Sequence, residues 1–237
     1  IWREIRRQME ADSDTLLPDY RVRNYYLKRN QLVWIDRKGI DYRADSLLMA
    51  LRKVEQMGFN LQRFRFFQIE ADLKRMRLLD FDDNKNTINR VVGRLEYILT
   101  KAYLRFATGQ RFGFVNPAFL LNHHDIHNSD SVQTSYQTLY AQRGQRPGDR
   151  FFKWALHMVH VDSIGWFLRQ IEPHGAYYRR FLHLLNSDSV SLYGRKLVLG
   201  NLERSRWRLD NMAETQEKYV VVNIPSFQLQ AIHAGQV

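Results

Sequence analysis

The sequence predicts a mainly α protein, with a multi-helix domain over residues 1–210 and a short C-terminal β-strand pair within residues 218–237. Two patterns carry this prediction: apolar residues recur every three or four positions through most of the chain, and the last twenty residues become β-branched and alternating. With 237 residues, of which 44% are hydrophobic, the chain is long enough to bury a core without disulfides. We therefore expect a helical domain joined to the opening strands of a β domain.

Seven segments carry the helical pattern. They are residues 1–10, 45–57, 63–78, 87–107, 149–160, 174–185 and 195–209, and the fifth leaves an extension to residue 170 open. Asp45 is a candidate N-cap of the second segment, and Gly58 lies just past its end. Asn86 or Thr87 caps the longest helix, which we expect to end near Gly109.

The C-terminal residues have the pattern of two strands. KYVVVN at 218–223 is β-branched and aromatic, FQLQAIH at 227–233 alternates apolar with polar residues, and IPS separates them. An isolated strand pair is marginal in water and leaves backbone donors open. We therefore expect that a β domain begins near Lys218 and that the chain stops inside it, and the open strands predict a strand-exchanged homodimer.

The composition narrows the classes of function. Lys and Arg number 36 against 25 Asp and Glu, so the net charge is +11, which favours anionic partners such as nucleic acid, anionic lipid or cell wall. The alternative is a basic protein without a polyanionic partner, because the arginines never form a run of five or six. The absence of cysteine excludes disulfides, thiolate metal sites and a cysteine nucleophile.

The sequence also bears on localisation. No apolar run approaches the ~18 residues needed to cross a bilayer, so we expect no transmembrane segment. The chain begins with Ile1 and shows no secretory leader, so we expect that an upstream segment has been removed. A chain without thiols is compatible with export.

DFDDNKN at 80–86 is a candidate calcium loop. Asp80, Asp82 and Asn84 have the spacing of the first ligands, but Lys85 stands where the turn glycine is needed and Val91 where the bidentate acid is needed. A solvated cap for the long helix is the favoured interpretation.

Histidines supply the candidate zinc ligands in two places. The loop candidate is His123, His124, Asp125 and His127, and the helical candidate is His157 with His160. Neither has an HExxH motif or an evident further ligand from a second element, so we predict no metal site and no cofactor. Glycine-rich nucleotide loops and a nucleophile elbow are also absent from the sequence.

Aromatic residues make up 13% of the chain and are interleaved with arginines. Such rings could stack sugars or bases, although at helical spacing they more often belong to a core. A basic helical nucleic-acid-binding module, with arginines on phosphates, is therefore the alternative function.

Residues 201–229 resemble a known junction. NLERSRWRL at 201–209, followed by KYVVVNIPSFQLQAI at 218–232, is similar to a segment of the large bacterial L,D-transpeptidases, which cross-link peptidoglycan. In that family an NLERxRW helix leads into the first strands, VNIPxFxL, of the catalytic β domain. YYLKRNQLVWIDRKG at 25–39 and ADSLLMALRKVEQMGF at 44–59 more faintly resemble the family's helical scaffold segment.

The resemblance implies the N-terminal scaffold domain of such an enzyme, followed by the first strands of its catalytic domain. The family's nucleophile is the cysteine of an SHGC signature with a histidine upstream, and this sequence ends before either and contains no cysteine. The resemblance therefore implies a periplasmic or cell-envelope chain without catalytic residues of its own. It would position a catalytic β domain that is missing from this chain and contact the stem peptide or glycan of peptidoglycan, with no nucleic-acid partner.

Four residues are the predicted interdomain junction: Asn201, Glu203, Arg204 and Trp207. On a helix, Glu203 and Trp207 are neighbours four residues apart, whereas Asn201 and Arg204 share another face. We predict that Trp207 is buried against the helical domain or the β domain, and that Glu203 or Arg204 pairs across the junction.

Overall fold

The computed structural model describes residues 1–28, 31–36, 40–117, 144–187, 190–208 and 216–237. Within these ranges the chain is mostly helical with one two-stranded antiparallel sheet near the C-terminus, which confirms the predicted fold class. The elements are α1 (Trp2–Glu10), α2 (Leu17–Leu27), α3 (Asp41–Arg52), α4 (Phe66–Leu78), α5 (Ile88–Phe112), α6 (Asp149–His160), α7 (Ile164–Ile171), α8 (Ala176–Leu185), α9 (Leu192–Arg204), β1 (Lys218–Asn223) and β2 (Gln228–His233), with 3₁₀ turns at Leu61–Phe64 and Ile224–Ser226.

The chain divides into two compact units. The first comprises Ile1–Val115 and Arg146–Trp207, and the second comprises Asn116–Gln145 and Arg208–Val237. The chain thus leaves the first unit after Val115, re-enters it at Arg146 and leaves it again after Trp207. That residues 1–210 and 218–237 form separate domains stays a prediction.

Helix α5 is the centre of the first unit. Helices α1, α2 and α4 pack on it, and it is buried on most sides, as expected for a helix that is apolar around most of its circumference. Gly93 allows α1 to come close, because a Cβ there would lie 2.7 Å from the Ile1 carbonyl oxygen. On another side, the Tyr103 hydroxyl donates to the Ala155 carbonyl oxygen at 2.8 Å and joins α6 to α5.

The ends of α5 confirm one prediction and correct another. Thr87 is the N-cap, as predicted, but the helix continues to Phe112 instead of ending near Gly109. Gly113, with φ +94°, terminates it. Gly109 has a different role: a Cβ there would lie 2.1 Å from the ring of Phe114, so this glycine allows the ring to lie against the helix.

Helix α3 begins four residues earlier than predicted. Its N-cap is Ile40, and the predicted cap Asp45 lies inside the helix, where its carboxylate pairs with Arg77 of α4 at 2.7 Å. The helix ends at Arg52, and turns lead from there to Gly58, which has φ +83°. An ion pair to another helix therefore accounts for an acidic residue that resembled a cap.

Most of the interior belongs to one hydrophobic cluster around α5, which includes the rings of Tyr26, Trp34 and Phe66. A second, smaller cluster lies where α8 packs against α9, around Met57, Tyr178, Leu185 and Leu202. These aromatic rings are core residues, whereas Tyr177 and Tyr193 are exposed. Among the described residues, no helix is long and apolar enough to cross a membrane.

In the second unit, β1 and β2 form an antiparallel pair whose register runs from Lys218↔His233 to Asn223↔Gln228. The side chains of Val220, Val222 and Leu229 share one face and are 58%, 61% and 68% exposed. No further strand pairs with either of these two in the part of the chain that the structure describes.

Candidate functional site

The predicted junction residues lie at the C-terminal end of α9, just before the chain leaves the first unit. Helix α9 ends at Arg204, and one further turn carries Trp207, whose backbone N–H donates to the Arg204 carbonyl oxygen at 3.1 Å. Asn201 is half-buried and Arg204 is exposed, and the Arg204 guanidinium donates to the Asn201 side-chain oxygen at 3.3 Å. These two residues therefore contact each other on the outer side of the helix.

Glu203 ties the two exits of the first unit together. Its Oε1 accepts a hydrogen bond of 2.7 Å from the backbone N–H of Val115, the last residue before the first exit. Its Oε2 lies 3.2 Å from the guanidinium of Arg206. Glu203 is 9% exposed, so these partners compensate for most of its lost hydration. Glu203 thus holds the end of α9 to the segment that follows α5.

Trp207 packs against the end of α5 through a glycine. A Cβ on Gly113 would lie 2.6 Å from Cδ1 of Trp207 and 2.9 Å from Oε1 of Glu203, so no larger residue fits without movement. The indole Nε1 is buried and has no hydrogen-bond partner among the described residues. Both predicted residues, Glu203 and the half-buried Trp207, therefore contact the end of α5 and the segment after it, and their function as an interdomain junction stays a prediction.

Arg206 is the residue of this site that the sequence prediction missed. It is 2% exposed, and its guanidinium lies 5.3 Å from the ring centroids of both Phe114 and Tyr178 and 5.7 Å from that of Phe59. Its Nη2 has no partner among the described residues. Stacking on three aromatic rings and the ion pair with Glu203 offset the cost of burying this cation.

The available signal for Arg206 was its position three residues after Glu203 in NLERSRW, which allows an ion pair on one helical face. The same spacing is common on exposed faces, so it could not show burial. The aromatic rings that surround the guanidinium come from residues 59, 114 and 178, which are far from Arg206 in the chain.

A buried acidic group on α5 organises the other end of the first unit. Glu96 is 0% exposed, and its carboxylate accepts hydrogen bonds from the backbone N–H groups of Val33 and Trp34 and, at 2.6 Å, from the Tyr26 hydroxyl. Thr100 also contacts the Tyr26 hydroxyl at 2.7 Å. Burial raises the pKa of Glu96, and its hydrogen-bond donors oppose that shift. The network fastens residues 33–34 and α2 to α5.

A second charged network joins α5 to the residues before α2. The Lys101 ammonium contacts Asp12 and, at 2.6 Å, Asp14, while Arg105 contacts Asp14 at 2.8 Å and Asp19 at 2.6 Å. Hydrogen bonding from Lys101 lowers the pKa of Asp14. These ion pairs are structural: they hold residues 12–19 against the central helix.

The candidate metal ligands are separated by the fold. His157 is exposed, whereas His160 is half-buried and lies 3.1 Å from the side-chain nitrogen of Gln31. Burial, aided by the charge of Arg43, lowers the pKa of His160. In the part of the chain that the structure describes, no three His, Asp or Glu residues come together as a metal-binding group. The loop candidates at 123–127 lie outside the described residues.

In the acidic loop before α5, the Asp82 carboxylate accepts hydrogen bonds from the loop itself. Asp82 Oδ1 accepts from the backbone N–H groups of Asn84 at 2.9 Å and Asn86 at 2.8 Å, and Oδ2 accepts from the Asn86 side chain at 2.7 Å. These bonds, that from the Asn86 backbone above all, lower the pKa of Asp82 to about 2. Asp82 therefore closes the loop that leads into α5.

Comparison with known proteins supplies the family. A family model described as "Scaffold domain" matches residues 20–185, from within α2 to the end of α8. No curated protein and no solved structure matches significantly. The junction residues 201–207 lie beyond the matched range. Because the match covers well over half of the 237 residues, this chain belongs to the Scaffold domain family.

Proposed function

We propose that this chain is the scaffold portion of a peptidoglycan L,D-transpeptidase and that it positions the catalytic β domain of that enzyme. The family match supports the coarser statement, a scaffold domain. The assignment to this enzyme rests on the similarity of NLERSRW and VNIPSFQL, within residues 201–229, to the junction of that family.

The observation that carries the proposal is the fixed exit of the first unit. A domain that positions another must limit the conformations of the connecting chain, because each free residue adds conformational entropy. The Glu203 carboxylate bound to Val115 and the Trp207 ring against Gly113 restrain both points at which the chain leaves the first unit. The residues of the motif thus supply the rigidity that a positioning function requires.

The strand pair supports the second half of the proposal. One face presents Val220, Val222 and Leu229 to solvent, and both outer edges carry unpaired backbone groups in the described residues. Two strands with an exposed apolar face are marginal alone. We infer that further strands of a catalytic β domain complete this sheet, with a strand-exchanged second copy as the competing occupant.

The proposed chemistry divides between this chain and the catalytic domain. In L,D-transpeptidation a thiolate attacks a carbonyl carbon of the donor stem peptide, D-alanine leaves, and the acyl group passes to an acceptor amine. This sequence contains no cysteine, so we assign it no step of bond making or breaking. Its part is to orient the catalytic domain and to contact the wall in the periplasm or cell envelope.

Binding of the chain to the cell wall can be tested by varying the salt concentration. Peptidoglycan carries carboxylates and the chain has a net charge of +11, so their attraction is screened as ionic strength rises. We expect the fraction bound to purified sacculi to fall at least threefold between about 50 and 500 mM salt. Binding that is absent or insensitive to salt would leave only the positioning function.

The enzymatic assignment is tested in the organism that carries the gene. Deletion should lower the 3–3 cross-linked muropeptides, measured by liquid chromatography and mass spectrometry, and the intact gene should restore them. Trp207→Ala should restore them poorly at equal protein level, whereas Tyr193→Ala, which removes an aromatic ring that is 73% exposed, should restore them fully. Unchanged cross-links after deletion would refute the assignment, and full restoration by Trp207→Ala would refute the positioning role.

A further inference from the structure

A groove in the first unit lies outside the junction and outside both networks on α5. It runs between the residues before α2, the 3₁₀ turn at Leu61–Phe64 and the first turn of α4, and it encloses about 750 Å³. Its lining includes Gln62, Arg63, Arg65 and Phe67, and also the carboxylate of Asp14, which is paired with Lys101 and Arg105.

The backbone that carries the two arginines is held rigidly. The Asn60 side chain accepts a hydrogen bond from the Gln62 N–H at 2.8 Å and caps the 3₁₀ turn. Arg65 adopts the left-handed conformation, with φ 54° and ψ 29°, between this turn and α4. From α5, the Arg105 guanidinium donates to the carbonyl oxygen of Arg63 at 2.8 Å. The segment is therefore preorganised before any ligand arrives.

Arg63 and Arg65 are the two arginines of the groove that no carboxylate of the described residues pairs with, and the Arg63 guanidinium lies 5.9 Å from the ring centroid of Phe59. Both are exposed, and neither has an ion-pair partner among the described residues. The third arginine of the groove, Arg105, differs from them, because it is bound to the carboxylates of Asp14 and Asp19. The groove thus presents two guanidinium groups that are available to a ligand.

Neighbouring basic residues are already paired. Arg52 lies 2.9 Å from Glu70, and Arg77 lies 2.7 Å from Asp45. These two arginines therefore do not extend the positive charge of the groove, and other exposed basic residues, such as Arg179 and Arg180, belong to another helix. Nucleic acid carries one phosphate charge about every 1.7 Å along a duplex and needs an extended basic surface. A ligand with one or two separate anionic groups fits this arrangement better.

We propose that this groove binds a short peptide that bears carboxylates. Guanidinium groups bind carboxylates through paired, charge-assisted hydrogen bonds, so Arg63 and Arg65 take the two anionic groups. The side-chain amide of Gln62, which has no partner among the described residues, can bond to a peptide unit between them. The Phe67 ring, which is 55% exposed, offers an apolar surface for a side chain of the peptide.

The cellular source of such a peptide follows only if the proposed function holds, since the stem peptides of peptidoglycan carry carboxylates. The groove would then be a place where the scaffold holds wall peptide away from the catalytic domain's own site. The charge, geometry and exposure that define the groove do not depend on that assignment.

The test is direct binding by the full chain. The probes are a stem tetrapeptide released from sacculi, the same tetrapeptide with its carboxylates amidated, and a single-stranded oligonucleotide of twelve residues, each titrated by calorimetry. Arg63→Gln with Arg65→Gln should weaken binding of the tetrapeptide at least tenfold. The matched control is Arg179→Gln with Arg180→Gln, two exposed arginines of α8, which lowers the net charge equally and should change the affinity less than twofold.

A variant with Arg63→Lys and Arg65→Lys preserves the net charge and guards against a folding defect in the glutamine variant. It should weaken binding several-fold, because an ammonium cannot form the paired hydrogen bonds of a guanidinium. The proposal is overturned if the wild-type chain does not bind the tetrapeptide, if the amidated peptide binds equally well, if both double glutamine variants lose affinity equally, or if the oligonucleotide competes more strongly than the peptide.

Failure here and failure of the proposed function are distinguishable. If the tetrapeptide does not bind but gene deletion lowers the 3–3 cross-links, only the proposal about the groove is overturned. If the tetrapeptide binds through Arg63 and Arg65 but gene deletion leaves the cross-links unchanged, the transpeptidase assignment is overturned and the proposal about the groove stands.

Discussion

Glu96 offers the sharpest test of how the helical unit is held together. We predict that Glu96→Gln, which preserves the shape of the side chain, lowers the free energy of unfolding by about 2–4 kcal/mol. In the structure, Oε1 accepts from the Val33 N–H and the Tyr26 hydroxyl, and Oε2 accepts from the Trp34 N–H at 3.0 Å. The backbone N–H of Ile35 is a further donor to this carboxylate. Because backbone N–H groups can only donate, an amide group must turn its own N–H toward at least one of them.

The magnitude follows from counting those donors. If the amide nitrogen replaces Oε2, the buried N–H of Trp34 loses its acceptor, which costs about 1–3 kcal/mol. The Val33 and Tyr26 bonds remain but lose the assistance of a charged acceptor, which adds about 1 kcal/mol. Turning the amide the other way is no better, because the buried Val33 N–H then faces a donor and the Tyr26 hydroxyl must give up its bond to this side chain.

The assay is chemical denaturation by urea, combined with hydrogen exchange at the amides of Val33 and Trp34. We expect faster exchange at Trp34 in Glu96→Gln and no effect above about 0.5 kcal/mol in the control Glu55→Gln, whose side chain is exposed. A loss below 1 kcal/mol, or unchanged protection at both amides, would refute the argument that this carboxylate anchors residues 33–34.

Three other features give measurable expectations: the glycine at the end of α5, the carboxylate of Asp14 and the open strand pair. Gly113→Ala should lower the melting temperature by several degrees, since its Cβ would lie 2.6 Å from the Trp207 ring at a backbone φ of +94°; an unchanged melt would contradict the close packing. Hydrogen bonding from Lys101 lowers the pKa of Asp14 below 3.8, so the folded state binds fewer protons than the unfolded chain. The free energy of unfolding should therefore fall as the pH drops from about 5 through the folded-state pKa, and Asp14→Asn should flatten this fall in urea titrations; identical pH profiles would argue against the pairing. The strand pair should form dimers at high protein concentration in sedimentation velocity, and Val222→Lys should return them to monomers; a wild-type chain that is monomeric throughout would disprove strand exchange.

The helical pattern predicted where most of the main helices lie, because burial against one central helix imposes the same three- and four-residue spacing on the elements around it. It missed α2, which also packs on α5. It predicted their ends less well. Gly109 resembles a stop signal, yet its small size serves the ring of Phe114, and the helix runs on to Phe112. Asp45 resembles a cap, yet it pairs with Arg77. In both cases a side-chain contact made only in the folded chain decides the role of the residue, from five positions away for Gly109 and from 32 positions away for Asp45.

The same reason explains why the junction was predicted only in part. The resemblance in NLERSRW pointed to Glu203 and Trp207, which contact Val115 and Gly113 beside the two exits of the first unit. It could not show that Arg206 is enclosed by the rings of Phe59, Phe114 and Tyr178, because those rings are separated from it by 28 to 147 positions in the sequence. Burial of a cation depends on such long-range neighbours, which a local pattern does not contain.

A net charge of +11 overstates how much positive charge this protein offers to a partner. Lys101, Arg94 and Arg105 are held by the carboxylates of residues 12, 14, 19 and 72, and those ion pairs stabilise contacts to α5 instead of facing solvent. Arg63 and Arg65 differ because a 3₁₀ turn and one left-handed residue direct them into a groove where no carboxylate pairs with them in the described residues. Composition therefore predicts only that anionic partners are attracted. Selectivity depends on where the fold places the cations that it leaves unpaired, and Arg63 and Arg65, in and just after the 3₁₀ turn, favour in this groove a ligand with a few discrete carboxylates.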